Sequence, residues 1–255
     1  MQRIGLTDQA EFVHPGLRWN RYGPAPCLVG LAGSAGADAM RTNPFNDSLQ
    51  FLIGNTPDHE AIGWAKYILV VAYAALLIGS VAIAVRNWSQ DPAQRTGRNV
   101  IIWLFRLLIG TMWFQGSLWK LPLPISGGFQ YWTGQLVQGS FLAADAAFAK
   151  DVLLPNIAIL DPLVWIAETS IAIMLMLGLG VRLAGLGGIL LALNLWVGLY
   201  RIDAEWPWNY VFLVIVHAFF LLDHAGRILG VDGLLARAGW STLRTFPAWV
   251  WRRAS

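Results

Sequence analysis

Five stretches of this chain are apolar for about the length a helix needs to cross a bilayer, and no other feature limits its fold as much. A spanning helix takes about 20 residues at 1.5 Å rise each. Residues 64–85, 100–120, 163–181, 183–201 and 208–222 are read as such spans. Inside lipid every backbone N–H and C=O needs a partner from its own segment or from a closed sheet, which favours helices for runs of this length. The expected fold class is therefore all-α, an integral membrane helical bundle.

Composition agrees. Charged residues make up 13% and hydrophobic residues 56% of the 255 positions, where a soluble domain carries about 25% charged residues. The single cysteine excludes a disulfide scaffold, a cysteine-held iron–sulfur cluster and a cysteine-based zinc site. Start signals support several spans. Thr56–Pro57 reads as an N-cap with proline at N1, with Asp58 and Glu60 at the positive end of the helix dipole, and Asp161–Pro162 repeats that signature before the third span. Gly178-Leu179-Gly180 reads as a turn, so the third and fourth spans form an antiparallel hairpin.

The basic residues are uneven. Arg86, Arg95, Arg98, Arg182, Arg227, Arg237, Arg244, Arg252 and Arg253 fall on one side, facing only Asp91, Asp223 and Asp232 there. Basic loops stay in the cytoplasm, which predicts an inner (plasma) membrane protein with its N-terminus outside and its C-terminus cytoplasmic. The basic balance then reflects insertion, and no nucleic-acid partner is expected. Trp64, Trp119, Trp165, Trp206 and Trp208 on one side, and Trp88, Trp240, Trp249 and Trp251 on the other, form interfacial belts.

Four regions follow: 1–63, a loop-rich extracytoplasmic segment; 64–99, a first span with its cytoplasmic loop; 100–236, a four-helix core; and 237–255, a basic tail. Within the core, 122–160 is an amphipathic interfacial stretch (Tyr131, Trp132, Leu136, Val137, Phe141, Leu142 and Phe148 recur at helical spacing), read as a connector or as a lid between helices. Ala184, Gly188 and Ala192 form a small-residue ridge suited to close helix packing.

Polar residues within the spans mark the candidate site, because each is costly unless paired or hydrated. Counting along each helix gives two layers. Glu168 sits roughly 8 Å below the outer boundary, level with Gln115 and within reach of Lys120. Arg106, Asn194 and His217 fall nearer the midplane, within roughly 6 Å of one another in depth. Each has a plainer reading: Lys120 snorkels to the interface, Arg106 is a structural counter-ion, and His217 is a satisfied packing histidine. Their joint presence in one bundle interior is a stronger signal than any one alone. His217 and His224 lie on one helix face with no histidine on another span, so a bis-histidine haem is unsupported. What fits is a small, neutral, lipid-soluble redox ligand in an aromatic-walled site.

The run Arg106-LLI-Gly110-TMWFQ-Gly116-SLW-Lys120-Leu121, Glu168, the later LMLGLGVRLAG (175–185), and WPWNY (206–210) with GRILGVDGLL (226–235) resemble DoxX/DoxD-like membrane proteins over about 100–236. The positions of Arg106, Lys120, Glu168 and Arg182 match that family's polar and arginine motifs. The chain departs from the pattern by its extra first span, its long N-terminal segment and its tail. The resemblance implies a membrane subunit of a thiosulfate:quinone oxidoreductase working with a DoxA-like second subunit. Joined to the reading of the buried polar residues, the leading expectation is that Glu168 and Lys120 handle protons or an anionic substrate as the catalytic pair and that Arg106, His217, Asn194 and Gln115 bind quinone; the cysteine and histidine counts lead to no expected haem, iron–sulfur, zinc or other metal site. The alternative is a non-catalytic accessory subunit of a larger respiratory or photosynthetic complex. A transporter ranks third, for want of a visible inverted repeat.

Overall fold

The structure is a computed structural model that describes residue 50 and residues 63–118, 120–121, 127–203 and 205–238. The expected Thr56–Pro57 cap, nearly all of the 1–63 segment and most of the basic tail lie outside these residues. Among the described residues every regular element is helical. The elements are α1 (Ala65–Gln90), α2 (Gly97–Leu118), α3 (Gly127–Gly139), α4 (Ala143–Phe148), α5 (Ile157–Leu177), α6 (Val181–Gly198), α7 (Trp208–Leu222) and α8 (Val231–Ala238). A single π-type segment, Ala149–Leu153, and a 3₁₀ turn, Leu154–Asn156, join α4 to α5.

Four helical runs are long and apolar enough to cross a membrane: Ala65–Gln90, Gly97–Leu118, Ala143–Leu177 and Val181–Gly198. The expected fifth span, Trp208–Leu222, is apolar but only 15 residues long. The described residues thus form an all-helical bundle of a multi-pass membrane protein.

Asp161–Pro162 is not a helix start. α5 begins at Ile157 and carries Pro162 inside it, because the preceding π and 3₁₀ turns already run helically into this helix. Proline there lacks the N–H for the bond to the Ala158 carbonyl and crowds that carbonyl with its ring, and Asp161 is buried inside the helix rather than capping it.

Packing follows the small residues. α2 and α5 run antiparallel with Gly110 against Met176 and Ala172, close enough that a Cβ on Gly110 would lie 3.0 Å from the Met176 backbone nitrogen. α6 and α7 meet as closely: Gly185 faces the backbone of His217 and Leu221, and Gly188 seats the His217 ring. This is the small-residue ridge working as bundle closure. α1 is joined to the bundle by Ser80, whose Oγ donates to the Met176 carbonyl at 2.6 Å and accepts from Trp103 Nε1 at 3.1 Å. The α5–α6 turn is the expected hairpin. Leu179 N–H returns to Met174 O and Gly178 N–H to Leu175 O, a Schellman closure. Gly178 has φ of 70°, and its α-carbon leaves no room for a Cβ between Gly230 and the Arg106 guanidinium.

Candidate functional site

The polar residues of the spans separate into two places. At one end of the bundle, the chain after α7 folds back between helices. His224 and Leu229 take left-handed backbone angles to make this bend, and the Arg106 guanidinium donates to the carbonyls of Ala225, Ile228 and Leu229. Asp232, at the start of α8, accepts from the backbone N–H of Gly180 (2.8 Å) and Val181 (3.3 Å), the open N-terminus of α6. Burial raises the Asp232 carboxyl to about 6, against the lowering pull of those N–H groups and of Arg106 and Arg227. Asn87 of α1 ties in by donating to Gly230 O at 3.0 Å. Arg106 is fully buried here, as the cap of a re-entering loop.

His217 is likewise engaged. Its Nδ1–H donates to Leu213 O at 2.8 Å, and its Nε2 accepts from Trp113 Nε1 at 2.9 Å. Both ring nitrogens are used, which fixes the neutral tautomer with the proton on Nδ1.

At the opposite end lies a cavity of about 630 Å³ between α2, α3, α5, α6 and α7. Most of its wall is apolar or aromatic, including Met112, Phe129, Trp132, Leu136, Leu195 and Phe212. Its polar groups are Lys120, Glu168, Asn194, Thr133, Glu205, Asn209 and Tyr210. Lys120 Nζ is paired with Glu168 Oε1, with side chains 12% and 4% exposed. Glu168 Oε2 and Trp132 Nε1 are buried without a partner. Tyr210 donates its hydroxyl to Glu205 at 2.7 Å, and Thr133 donates to Phe129 O at 2.8 Å. Burial raises the Glu205 carboxyl above the ordinary range, opposed by the Tyr210 bond.

Of the six expected site residues, the structure brings Lys120, Glu168 and Asn194 to this cavity. Arg106, His217 and Gln115 are not among the residues lining it. The assignment of Arg106 and His217 as quinone ligands is corrected on this geometry, since their polar contacts go to the re-entering loop, Leu213 and Trp113. The expected midplane layer also dissolves. Trp113, which meets His217, is seven residues beyond Arg106 on α2, about 10 Å along the axis. Asn194 is six residues beyond Gly188 on α6, about 9 Å towards the cavity end. Arg106 reads as deep by counting, yet α2 extends about two and a half turns past the end of α5, so it lies level with the Gly178 turn.

The sequence reading missed Glu205, Asn209 and Tyr210 as site residues. Their signal was the WPWNY run, where a polar Asn-Tyr pair begins an otherwise apolar helix. The 122–160 stretch supplies α3, whose Phe129, Thr133 and Leu136 form one buried face over the cavity. No family model, curated protein or solved structure matches this chain.

Proposed function

We propose that this protein is the membrane subunit of a quinone-linked oxidoreductase and holds the quinone ring in the cavity beside Lys120 and Glu168. The observation that carries this reading is a buried lysine–glutamate pair set in the wall of a largely apolar, aromatic cavity. Ligand pockets occupy about 300–1,000 Å³ and combine apolar walls with a few placed polar groups. A neutral ring with a hydrocarbon tail has that complementary character. Lys120, Asn194 and Glu168 would orient the ring oxygens, and the apolar wall would take the ring faces and tail. Electrons would come from a redox centre on a second subunit, as the resemblance to DoxD-type proteins implies. In this reading the Lys120 end faces outside and the Arg106 end the cytoplasm, as the arginine distribution suggests.

Thiosulfate draws less support as an occupant of the same cavity. Among the described residues its lining holds one lysine, engaged by Glu168, against the two carboxylates Glu168 and Glu205, a poor setting for a dianion. A sulfur substrate would meet the partner subunit instead.

The alternative, an accessory subunit of a larger respiratory or photosynthetic complex, draws on α1. Tyr67, Ile68, Val71, Ile78, Val81 and Val85 are all exposed along it, with Trp64 just before its start, a face for lipid or for another membrane helix. Gentle purification from the native membrane, followed by mass spectrometry of extracted lipids, tests both. Quinone at near-stoichiometric amounts, lost in a folded Val164→Trp variant that fills the cavity, is expected. A ligand-free chain held in a large complex would favour the accessory role, and quinone retained by Val164→Trp would remove the cavity as the site.

A further inference from the structure

Where α6 begins and α7 ends, the bundle carries more positive charge than its own carboxylates neutralise. Arg98, Arg106, Arg182 and Arg227 meet Asp223 and Asp232 there. Arg98 pairs with Asp223 at 3.1 Å. Asp232 accepts from the N–H groups of Gly180 and Val181 and lies near the buried Arg106. Arg182 and Arg227 are left with no carboxylate in ion-pair contact among the described residues. Residues 239–255 add Arg244, Arg252 and Arg253 and no acidic side chain.

The fold holds these two cations in one place. Arg182 Nε donates to Leu221 O at 2.9 Å, which seats the side chain at the end of α7. His224, three residues on, takes a left-handed backbone angle and starts the 3₁₀ turn that ends at Arg227. Burial and the charges of Arg227 and Arg182 hold the His224 imidazole below its ordinary pKa, opposed by Asp223 and a backbone bond to Leu222. Both guanidiniums are therefore close to this one ring, and all three side chains are half-buried. An apolar wall adjoins them. Leu186 and Leu190 continue the helix face of Arg182 at four and eight residues and are exposed, as is Leu222 at the end of α7.

We infer that Arg182 and Arg227 bind the phosphate of an anionic phospholipid beside His224, with an acyl chain laid along Leu186 and Leu190. Guanidinium groups match phosphate oxygens in a two-pronged geometry, and basic clusters at helix ends take anionic headgroups. A zwitterionic lipid presents the same phosphate but brings its own cation into a patch already rich in positive charge, so it binds less well.

The test is native mass spectrometry of the full chain in detergent, titrated with phosphatidylglycerol and phosphatidylcholine of matched acyl chains. Phosphatidylglycerol should bind about ten-fold or more tighter. Arg182→Gln and Arg227→Gln should each weaken it by about five-fold. Arg86→Gln, which removes an exposed arginine of α1 at the same end, should leave it within about two-fold. Asp223→Asn should tighten binding by about two- to five-fold, a gain that misfolding cannot imitate. Equal affinity for the two lipids, or no gain in Asp223→Asn, would overturn the site. An equal loss in Arg86→Gln would replace it with diffuse attraction to the whole basic end. Full displacement of phosphatidylglycerol by millimolar inorganic phosphate would overturn the lipid as occupant and leave a site for a free anion.

Discussion

Replacing Gly188 by alanine should be costly in the native protein and harmless once His217 is gone. A Cβ on Gly188 would fall inside contact distance of His217 Cδ2 and Nε2 and only 2.6 Å from Cγ, where ordinary contacts begin near 3.4 Å. The ring would have to retreat by roughly 1.5 Å, although His217 is fully buried in a packed interior. Two hydrogen bonds anchor it, to Trp113 Nε1 and Leu213 O. Side-chain hydrogen bonds within membrane bundles are worth about 0.6 kcal/mol on average and up to about 1.7, and overpacking a filled core adds about 1–3 kcal/mol. Gly188→Ala should therefore destabilise the bundle by about 2–5 kcal/mol. In a His217→Ala background the obstructing atoms are absent, and alanine gains up to about 1 kcal/mol over glycine in helix propensity. The effect of the same substitution should then vanish or change sign. Reversible unfolding in mixed micelles, followed by circular dichroism on all four proteins, gives the cycle. An equal cost of Gly188→Ala in both backgrounds would refute the seat of His217 on Gly188, and with it the structural role assigned to that histidine.

Arg106→Leu should destabilise by about 3–5 kcal/mol, because the loop carbonyls and Asp232 lose a buried cation. Arg106→Lys should rescue little, since one ammonium cannot reproduce the guanidinium fork; both are measured by the same unfolding assay, and a full rescue by lysine would argue against the carbonyl cap. Asp232 gives a pH signature. Its carboxyl lies at about 6 in the folded protein against 3.8 ordinarily, so the folded state binds the proton more tightly. Stability from this group therefore falls as pH rises from about 4 to about 6 and is flat above, by on the order of 2–3 kcal/mol. Asp232→Asn should flatten that slope in unfolding titrations, and an unchanged slope would count against it. Finally, Lys120→Met alone should cost more than Lys120→Met with Glu168→Leu, because the single change leaves a buried carboxylate without its cation. Comparable stabilities for the single and double variants would show that the pair is not held in a low-dielectric site.

Hydropathy and small-residue spacing made much of this bundle readable in advance. Runs of apolar residues long enough to cross lipid must become helices, the Gly178–Gly180 turn forces a hairpin, and Gly188 on α6 offers a place for close approach. The reach from Lys120 to Glu168 was legible too, since both positions follow from counting residues from a helix end.

The partners of the remaining polar groups were decided by tertiary structure alone. Arg106 and His217 look alike from the sequence, as ionisable residues deep in apolar helices. One meets carbonyls of a loop that turns back into the bundle, and the other meets an indole on a neighbouring helix. A re-entering loop leaves no periodic trace, because its stability comes from a cation supplied by a residue more than a hundred positions away. Glu205 and Tyr210 join the cavity for a related reason: their place depends on how the end of α6, the start of α7 and α3 come together around it. Lipid immersion dictates that segments be helical through purely local hydrogen bonding, whereas the destination of a buried charge depends on which distant backbone comes within reach of it.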